Sequence, residues 1–285
     1  MLAAGAPDED HAGTMPPRTN GAPRKEQRHR RILAALATDP TVRISSLAAE
    51  FGVSAETVRR DVEELSRQGV VRRTYGGASL PYAGVQPEIG ERERMAVTER
   101  ARIGAAAAAL VEPGAVLMVD AGSTTAHFAR ALAARGTAVT VLTNSLAVAQ
   151  ALVGGQPGGG AARVLLCPGE LYAAERAVYG PDTDEFLRRF NADLCLIGAS
   201  GLTAEGPTDV ERRACWVKRA MLARAARRVL LVDGGKFDAP HLERICPLAA
   251  LTDLVTDRAP PPGLGEALER AGVRVTIAGE APENV

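Results

Sequence analysis

The stretch from Val53 to Ala78, V-S-A-E-T-V-R-R-D-V-E-E-L-S-R-Q-G-V-V-R-R-T-Y-G-G-A, sets the plan of the chain. Ser54 is a good helix N-cap, with Glu56 and Thr57 in the first turn. Val58, Val62 and Leu65 recur at i, i+4 and i+7 and make one apolar face. Glu56, Arg60 and Arg67 lie opposite that face on a helical wheel, with Thr57 and Arg59 on its flanks. Gly69 is expected to stop the helix. Val70 to Thr74 and Ala78 to Leu80 then flank Tyr75-Gly76-Gly77 and read as a β-hairpin with a glycine turn. Working upstream, in I-S-S-L-A-A-E-F-G-V-S, Ser45 or Ser46 caps a shorter helix with Leu47, Ala48 and Phe51 inward, and Gly52-Val53 turns into Ser54. Two helices joined through a glycine turn, the second carrying arginines outward, match the helix-turn-helix plan for the DNA major groove, with the hairpin as its wing. Spacing alone also fits a small helical hairpin with a solvated charged face.

Arg28, Ile32, Leu47, Ala48, Phe51, Val53, Ser54, Thr57, Val58, Arg59, Arg60, Asp61, Val62 and Leu65, followed by Gly69, Val71, Arg73, Gly76, Gly77 and Ala78, form a dense, evenly spaced pattern. Through it, the stretch from about Arg24 to Leu80 resembles the winged helix-turn-helix of the DeoR family of bacterial repressors. The resemblance implies binding to double-stranded operator DNA. The candidate DNA-binding residues are Ser54, Glu56, Thr57, Arg59 and Arg60 on the helix, and Arg72 and Arg73 on the wing. Thr57 and Arg60 are expected to face base edges and Arg59 to take phosphate.

The chain has 285 residues, enough for about two domains. It is 46% hydrophobic but only 4% aromatic, so its core is expected to be aliphatic. A net charge of zero hides an asymmetry. Between Arg24 and Tyr75 there are eleven Lys or Arg and seven Asp or Glu, so a basic head precedes an acidic body. Cys167, Cys195, Cys215 and Cys246 show no C-x-x-C spacing and no nearby His, which reads as reduced thiols, with no metal and no cofactor expected. No apolar run reaches the roughly 18 residues that span a bilayer, and the N-terminus lacks a signal-peptide pattern, so a cytoplasmic protein with no membrane partner is expected.

Met1 to Pro23 is rich in Ala, Gly, Pro, Asp and Thr without periodicity and reads as a disordered tail. Arg24 to Thr38 is amphipathic. The expected divisions are a DNA-binding domain over 24–80, with the helix-turn-helix at about 42–61, a linker over 81–90, a sensing domain over 91–257 and a C-terminal extension over 258–285. Glu88 to Val111 reads as one helix. Beyond it, strands at Ala115–Val119, Val139–Leu142, Arg163–Cys167, Leu194–Ile197, Val229–Val232 and Leu254–Thr256 alternate with helices at Thr124–Ala134, Ser145–Val153, Asp184–Phe190 and Val210–Ala226, with Val273–Ile277 as a last strand. Gln156 to Ala162 reads as a surface loop. Apolar strands alternating with helices predict an α/β domain with a mostly parallel sheet.

Ligands of open α/β sheets sit at the carboxyl ends of strands, where loops enter helix N-termini. D-A-G-S-T-T-A (Asp120 to Ala126), T-N-S (Thr143 to Ser145), I-G-A-S-G-L (Ile197 to Leu202) and D-G-G-K-F (Asp233 to Phe237) all fall there. Any one of them alone is a weak signal, since such a strand end is often just a turn and a helix cap. Together they suggest a phosphate-bearing ligand. Ser123, Thr124 and Thr125 would offer hydroxyls beside free helix N–H groups, Gly122 close backbone approach, and Lys236 a point charge. Asp120 would accept bonds from sugar hydroxyls, with Asn144 and Ser145 at the next helix N-terminus.

Asp120, Gly122, Ser123 and Thr124, then Thr143 to Ser145, then Gly198, Ala199, Gly201 and Leu202, then Lys218 and Met221, then Asp233, Lys236 and Phe237 extend the resemblance. From about Glu91 to Asp257 the chain is similar to the DeoR-family sensor domain, whose fold is that of ribose-5-phosphate isomerase. The resemblance implies a phosphorylated sugar as effector. Arg100 stands where the family usually has lysine, Pro168-Gly169 where it has two glycines, and Gly234-Gly235 where it has a small polar pair. The rival reading is a sugar-phosphate isomerase, which needs a carboxylate base beside the sugar. The loop I-G-A-S-G carries no acid, and nothing in the spacing of Asp120, Asp233 or Glu211 nominates a substitute. The helix-turn-helix plan further implies a homodimer or higher homo-oligomer on paired half-sites.

Overall fold

The computed structural model describes residues 24–38, 41–68, 70–74, 76–79, 89–94, 96–154 and 162–279. The tail over 1–23, the helix stop at Gly69, Tyr75 of the turn, the linker Pro81 to Pro87 and all but the last residue of the loop from Gln156 lie outside them.

The N-terminal unit consists of α1 (Lys25–Thr38), β1 (Thr41–Arg43), α2 (Ile44–Phe51), α3 (Ala55–Arg67), β2 (Arg72–Thr74) and β3 (Gly77–Ser79). Ile32 and Leu36 of α1, Leu47 and Phe51 of α2, and Val58, Val62 and Leu65 of α3 close on one core with Val71 and Ala78. Each buried Ile, Leu, Val or Phe among them contributes roughly 1.5–3 kcal/mol. Helices of 8 to 14 residues are marginal alone, so this shared core holds them. Gly52 ends α2 at φ 65°, a left-handed position that glycine takes without strain.

Two features differ from the sequence reading. Arg43, not Ser45 or Ser46, holds the N-cap position of α2, and both serines fall inside the first turn. The cause is β1, which runs directly into α2 and pairs antiparallel with β3, while the Ile44 N–H donates to the Gly76 carbonyl at 3.0 Å. The wing is therefore three-stranded, in the order β1-β3-β2.

In place of one helix from Glu88 there are two, α4 (Ile89–Arg92) and α5 (Val97–Ala108), separated by a left-handed Ala96 at φ 48°. Then follow β4 (Val116–Val119), α6 (Ser123–Arg135), β5 (Thr140–Thr143), α7 (Leu146–Val153) and β6 (Arg163–Leu166). A hairpin of β7 (Glu170–Tyr172) and β8 (Ala177–Tyr179), joined by a 3-10 turn at Ala173–Glu175, leads to α8 (Pro181–Arg188) and β9 (Ala192–Gly198). The chain ends with β10 (Gly201–Thr203), β11 (Gly206–Asp209), α9 (Arg212–Leu222), β12 (Ala225–Leu231), β13 (Glu243–Arg244), β14 (Asp253–Thr256), α10 (Pro262–Arg270) and β15 (Arg274–Ile277).

Seven strands form one sheet in the order β15-β14-β12-β9-β4-β5-β6, every pair parallel. Alternate strand residues enter opposite cores, as the two-residue period of a strand requires. Leu117, Val119, Leu194 and Leu196 face α5, α6 and α7, whereas Met118, Cys195 and Ile197 face α8, α9 and α10. Gly104 lets α5 approach α6 closely; a Cβ there would lie 2.7 Å from the His127 carbonyl carbon. Strand β15 pairs with β14, so the segment after Asp257 contributes an edge strand to this sheet. Strands β7, β8, β10, β11 and β13 were not legible in sequence, being only two to four residues long and too short to show a period.

Candidate functional site

Ser54 caps α3 by accepting from the Thr57 N–H at 3.1 Å. Arg59 and Arg60 stand exposed on the outer face, Arg60 with 78% of its side chain in solvent. Glu56 pairs with Arg59 and lies 3.5 Å from Arg60, so it presents a carboxylate between two cations. Thr57 is half-buried, and Arg73 lies 3.7 Å from Glu63. The Arg72 side chain lies outside the described atoms. Asp61 has a different task. Its carboxylate is buried and receives a two-pronged contact from Arg28, Nε at 2.6 Å and Nη2 at 3.0 Å, with His29 at 3.3 Å. This ties α3 to α1 and turns the neighbouring arginines outward. The hydrogen bond to Asp61 raises the Arg28 pKa.

On the sheet, Asp120 follows β4, Asn144 follows β5, Ser200 follows β9 and Asp233 follows β12, all at carboxyl ends. A narrow cavity of about 30 Å³, open to solvent, lies here. Gly122, Ser123, Thr124 and Lys236 line it together, and Ser123 and Thr124 open the 13-residue α6. The other candidates serve the local fold. Thr125 is buried and donates to the Gly122 carbonyl at 2.9 Å. Ser145 caps α7 by accepting from the Val148 N–H at 3.2 Å. Asn144 donates to the Val178 carbonyl at 3.1 Å and keeps a buried Oδ1 that has no partner among the described residues. None of these three lines the cavity.

Asp120 sits behind the cavity wall. Its Oδ1 accepts from the Gly198 N–H at 3.1 Å, and its Oδ2 lies 2.9 Å from Lys218 Nζ. Lys218 is itself 2.9 Å from Asp209, whose other oxygen accepts from Ser200 and from the Val210 N–H. All three ion-pair members are buried. Burial pushes the Asp120 carboxyl up to about 6, against the pull of Lys218 and the Gly198 N–H. Burial also disfavours the Asp209 carboxylate, but Lys218, Ser200 and the backbone donors outweigh it and hold that group below its ordinary value. Lys236 is half-buried, and its ammonium makes no hydrogen bond or ion pair among the described residues. Burial pulls its pKa down, with Asp233 opposing.

Lys218, Asp209, Arg92 and Glu175 were not nominated from sequence as site residues, yet all four line the cavity, while Asp120 does not. Lys218 did leave a signal. It interrupts the apolar stripe of Ala214, Cys215, Val217, Met221 and Leu222, and a cation on a buried face needs an acidic partner. Arg92 and Glu175 are 83 residues apart, and no local pattern links them.

Residues 28–82 match the DeoR-like helix-turn-helix domain, and residues 95–258 match the DeoR C terminal sensor domain. The chain is 29% identical over 240 residues to the glycerol-3-phosphate regulon repressor of Escherichia coli K12, covering 84% of this chain and 93% of that protein. It is 30% identical over 255 residues to the transcriptional repressor GlcR of Bacillus subtilis, covering 89% and 96%. Among solved structures, ribose 5-phosphate isomerase A from Methanocaldococcus jannaschii is 17% identical with a TM-score of 0.36, over 48% of this chain and 53% of that one.

Proposed function

The chain belongs to the DeoR family of transcriptional regulators, and from that premise we propose that it represses carbohydrate-metabolism genes and loosens or resets its hold on operator DNA when a phosphorylated sugar enters the strand-end cavity. One arrangement carries the effector half of this reading. Lys236, an ammonium with no partner among the described residues, shares a cavity with Ser123 and Thr124 at a helix N-terminus. A dianionic phosphate supplies what such a place lacks, since helix N–H groups and an unpaired cation both favour negative charge. Asp120 then acts through Lys218, which it holds in place, so the sugar hydroxyls meet Asp209, Glu211 or Ser200 instead. The DNA half rests on Arg59 and Arg60, which Asp61 and the α3 core face turn outward. We infer that two copies act together in the cytoplasm on paired half-sites, because one three-helix head buries little DNA surface.

The test is to select a duplex from a random library with the full chain, then measure its affinity with and without glycerol 3-phosphate, glucose 6-phosphate and fructose 6-phosphate. Binding no tighter than to random duplex would refute the DNA reading, and a saturable shift with one sugar phosphate supports the sensing reading.

The isomerase reading gains the carboxylates of Asp209, Glu211 and Glu175, which line the cavity. Lys218, Ser200 and backbone donors hold the Asp209 pKa low, and Arg213 does the same for Glu211, the opposite of what a base at neutral pH needs. Burial raises the Glu175 pKa, but Arg92 occupies that carboxylate. No conversion of the bound sugar phosphate is expected, and turnover in an isomerase assay would reverse this reading.

A further inference from the structure

We propose that Arg92 is a ligand-contact residue of the cavity, and that its transfer from Glu175 to the anionic group of a bound sugar phosphate carries the signal toward the DNA-binding unit. This rests on the sensing reading above and names the group that would transmit it.

Arg92 and Glu175 line the cavity together with Ser123, Thr124 and Lys236. They pair with each other while nearly buried, at 12% and 13% side-chain exposure. The pair leaves Arg92 underused. Nη2 donates to Glu175, whereas Nε is buried and has no acceptor among the described residues. A guanidinium offers a planar fork of donors, and a phosphate can accept two of them side by side. Burial raises the Glu175 pKa against the pull of Arg92. A phosphate already held by Lys236 and the start of α6 therefore offers Arg92 more than its present partner does.

The position of Arg92 in the chain gives this exchange its reach. Arg92 closes α4, a four-residue helix that cannot stand alone. The α4 segment is the first described element after wing strand β3, with residues 80–88 between them. Among the described residues four polar contacts tether it, beside the burial of Ile89. The Arg92–Glu175 pair joins it to the 3-10 turn of the β7–β8 hairpin, and Arg100, itself bonded to Asp233 at 3.1 Å, donates to the Arg92 carbonyl. Glu93 adds looser pairs to Arg130 at 3.4 Å and Arg176 at 3.5 Å, both with half-exposed arginines. Moving Arg92 from Glu175 to a ligand exchanges the most buried of these side-chain tethers for one directed at α6. The ligand then distinguishes two placements of α4, which is the differential affinity that any shift in DNA binding requires.

The experiment uses the full chain, with Glu175→Gln and Arg92→Gln variants checked for folding by circular dichroism. Glycerol 3-phosphate, glucose 6-phosphate and inorganic phosphate are the probes, titrated by calorimetry, and the selected duplex reports operator affinity. Glu175→Gln removes the competitor, so the best sugar phosphate is expected to bind at least threefold tighter. Without probe that variant already lacks the tether the wild type gives up on binding, so its operator affinity should shift toward that of the wild type with probe. Arg92→Gln is expected to bind the same probe at least tenfold more weakly. A merely structural pair predicts no tightening in Glu175→Gln, and that result overturns the proposal even where Arg92→Gln fails to fold. A wild type that binds and responds, beside two variants that behave like it, overturns the exchange and leaves the sensing reading standing. A wild type that binds none of the probes overturns both.

Discussion

Lys218→Met is the most informative single perturbation of the sensor unit. Lys218 Nζ lies 2.9 Å from a carboxylate oxygen of each of Asp120 and Asp209, and no side chain of the three is more than 6% exposed. At an effective dielectric constant of about 20, one such contact is worth about 6 kcal/mol of attraction, most of it offset by the cost of desolvating the charges. Removing the cation leaves that cost without the compensation. Breaking a buried pair from one side typically costs about 3–5 kcal/mol, and here two carboxylates are stranded. The loss should depend on pH with a definite sign. Without the ammonium, burial and mutual repulsion lift both carboxyl pKa values above their unfolded ones. A group raised in the folded state contributes stability below its unfolded pKa and loses it as pH rises through the folded value. The cost of Lys218→Met should therefore be greatest near pH 8 and shrink toward pH 5. Urea unfolding can be followed through Trp216, the single tryptophan, two residues away on the same helix, with far-UV circular dichroism as a second probe. Adding Asp120→Asn and Asp209→Asn to Lys218→Met should restore much of the loss. A cost below about 1 kcal/mol at pH 8, or one unchanged between pH 5 and pH 8, would refute the reasoning.

Other perturbations test the remaining claims. Asp61→Ala removes the acceptor of two Arg28 bonds and should cost the N-terminal unit about 2–3 kcal/mol, read as a lower midpoint in thermal unfolding. Arg60→Ala should weaken binding to the selected duplex by about 1–3 kcal/mol and relax its sequence preference, as measured by repeating the selection. Arg59→Ala should weaken all duplexes alike and reduce the slope of log affinity against log salt by about 1. Lys236→Ala should keep operator affinity and abolish the response to sugar phosphate; a retained response would remove Lys236 from the effector site. Asp120→Asn should become more stable relative to wild type as pH rises from 4 to 6. The rise of the wild-type carboxyl from 3.8 to about 6 bounds that change at about 3 kcal/mol, read from urea midpoints across the range.

The sequence by itself determined the elements whose physics is local. Val58, Val62 and Leu65 can share a face only on a helix, and Ser54 with Gly52 marks where that helix begins and the previous one ends. The apolar runs of β4, β5, β9, β12 and β14 are continuous because strands covered on both faces have no solvent side, and this pattern announced a parallel sheet with helices on each side. Chain order also placed Asp120, Asn144 and Asp233 at strand ends before any contact was known. What each polar group does there was a tertiary decision. Asp120 could be assigned to a sugar only while its contact with Lys218 was unknown, since the two are 98 positions apart and meet through the packing of α9 on the sheet. Thr125, Asn144 and Ser145 carry the same chemistry as Ser123 and Thr124, yet their bonding groups turn to the Gly122 carbonyl, the Val178 carbonyl and the α7 cap. A hydroxyl or amide near a helix start can serve a ligand or its own backbone with nearly equal ease. Only the direction set by the surrounding core chooses between them, and that direction is a property of the assembled sheet and helices.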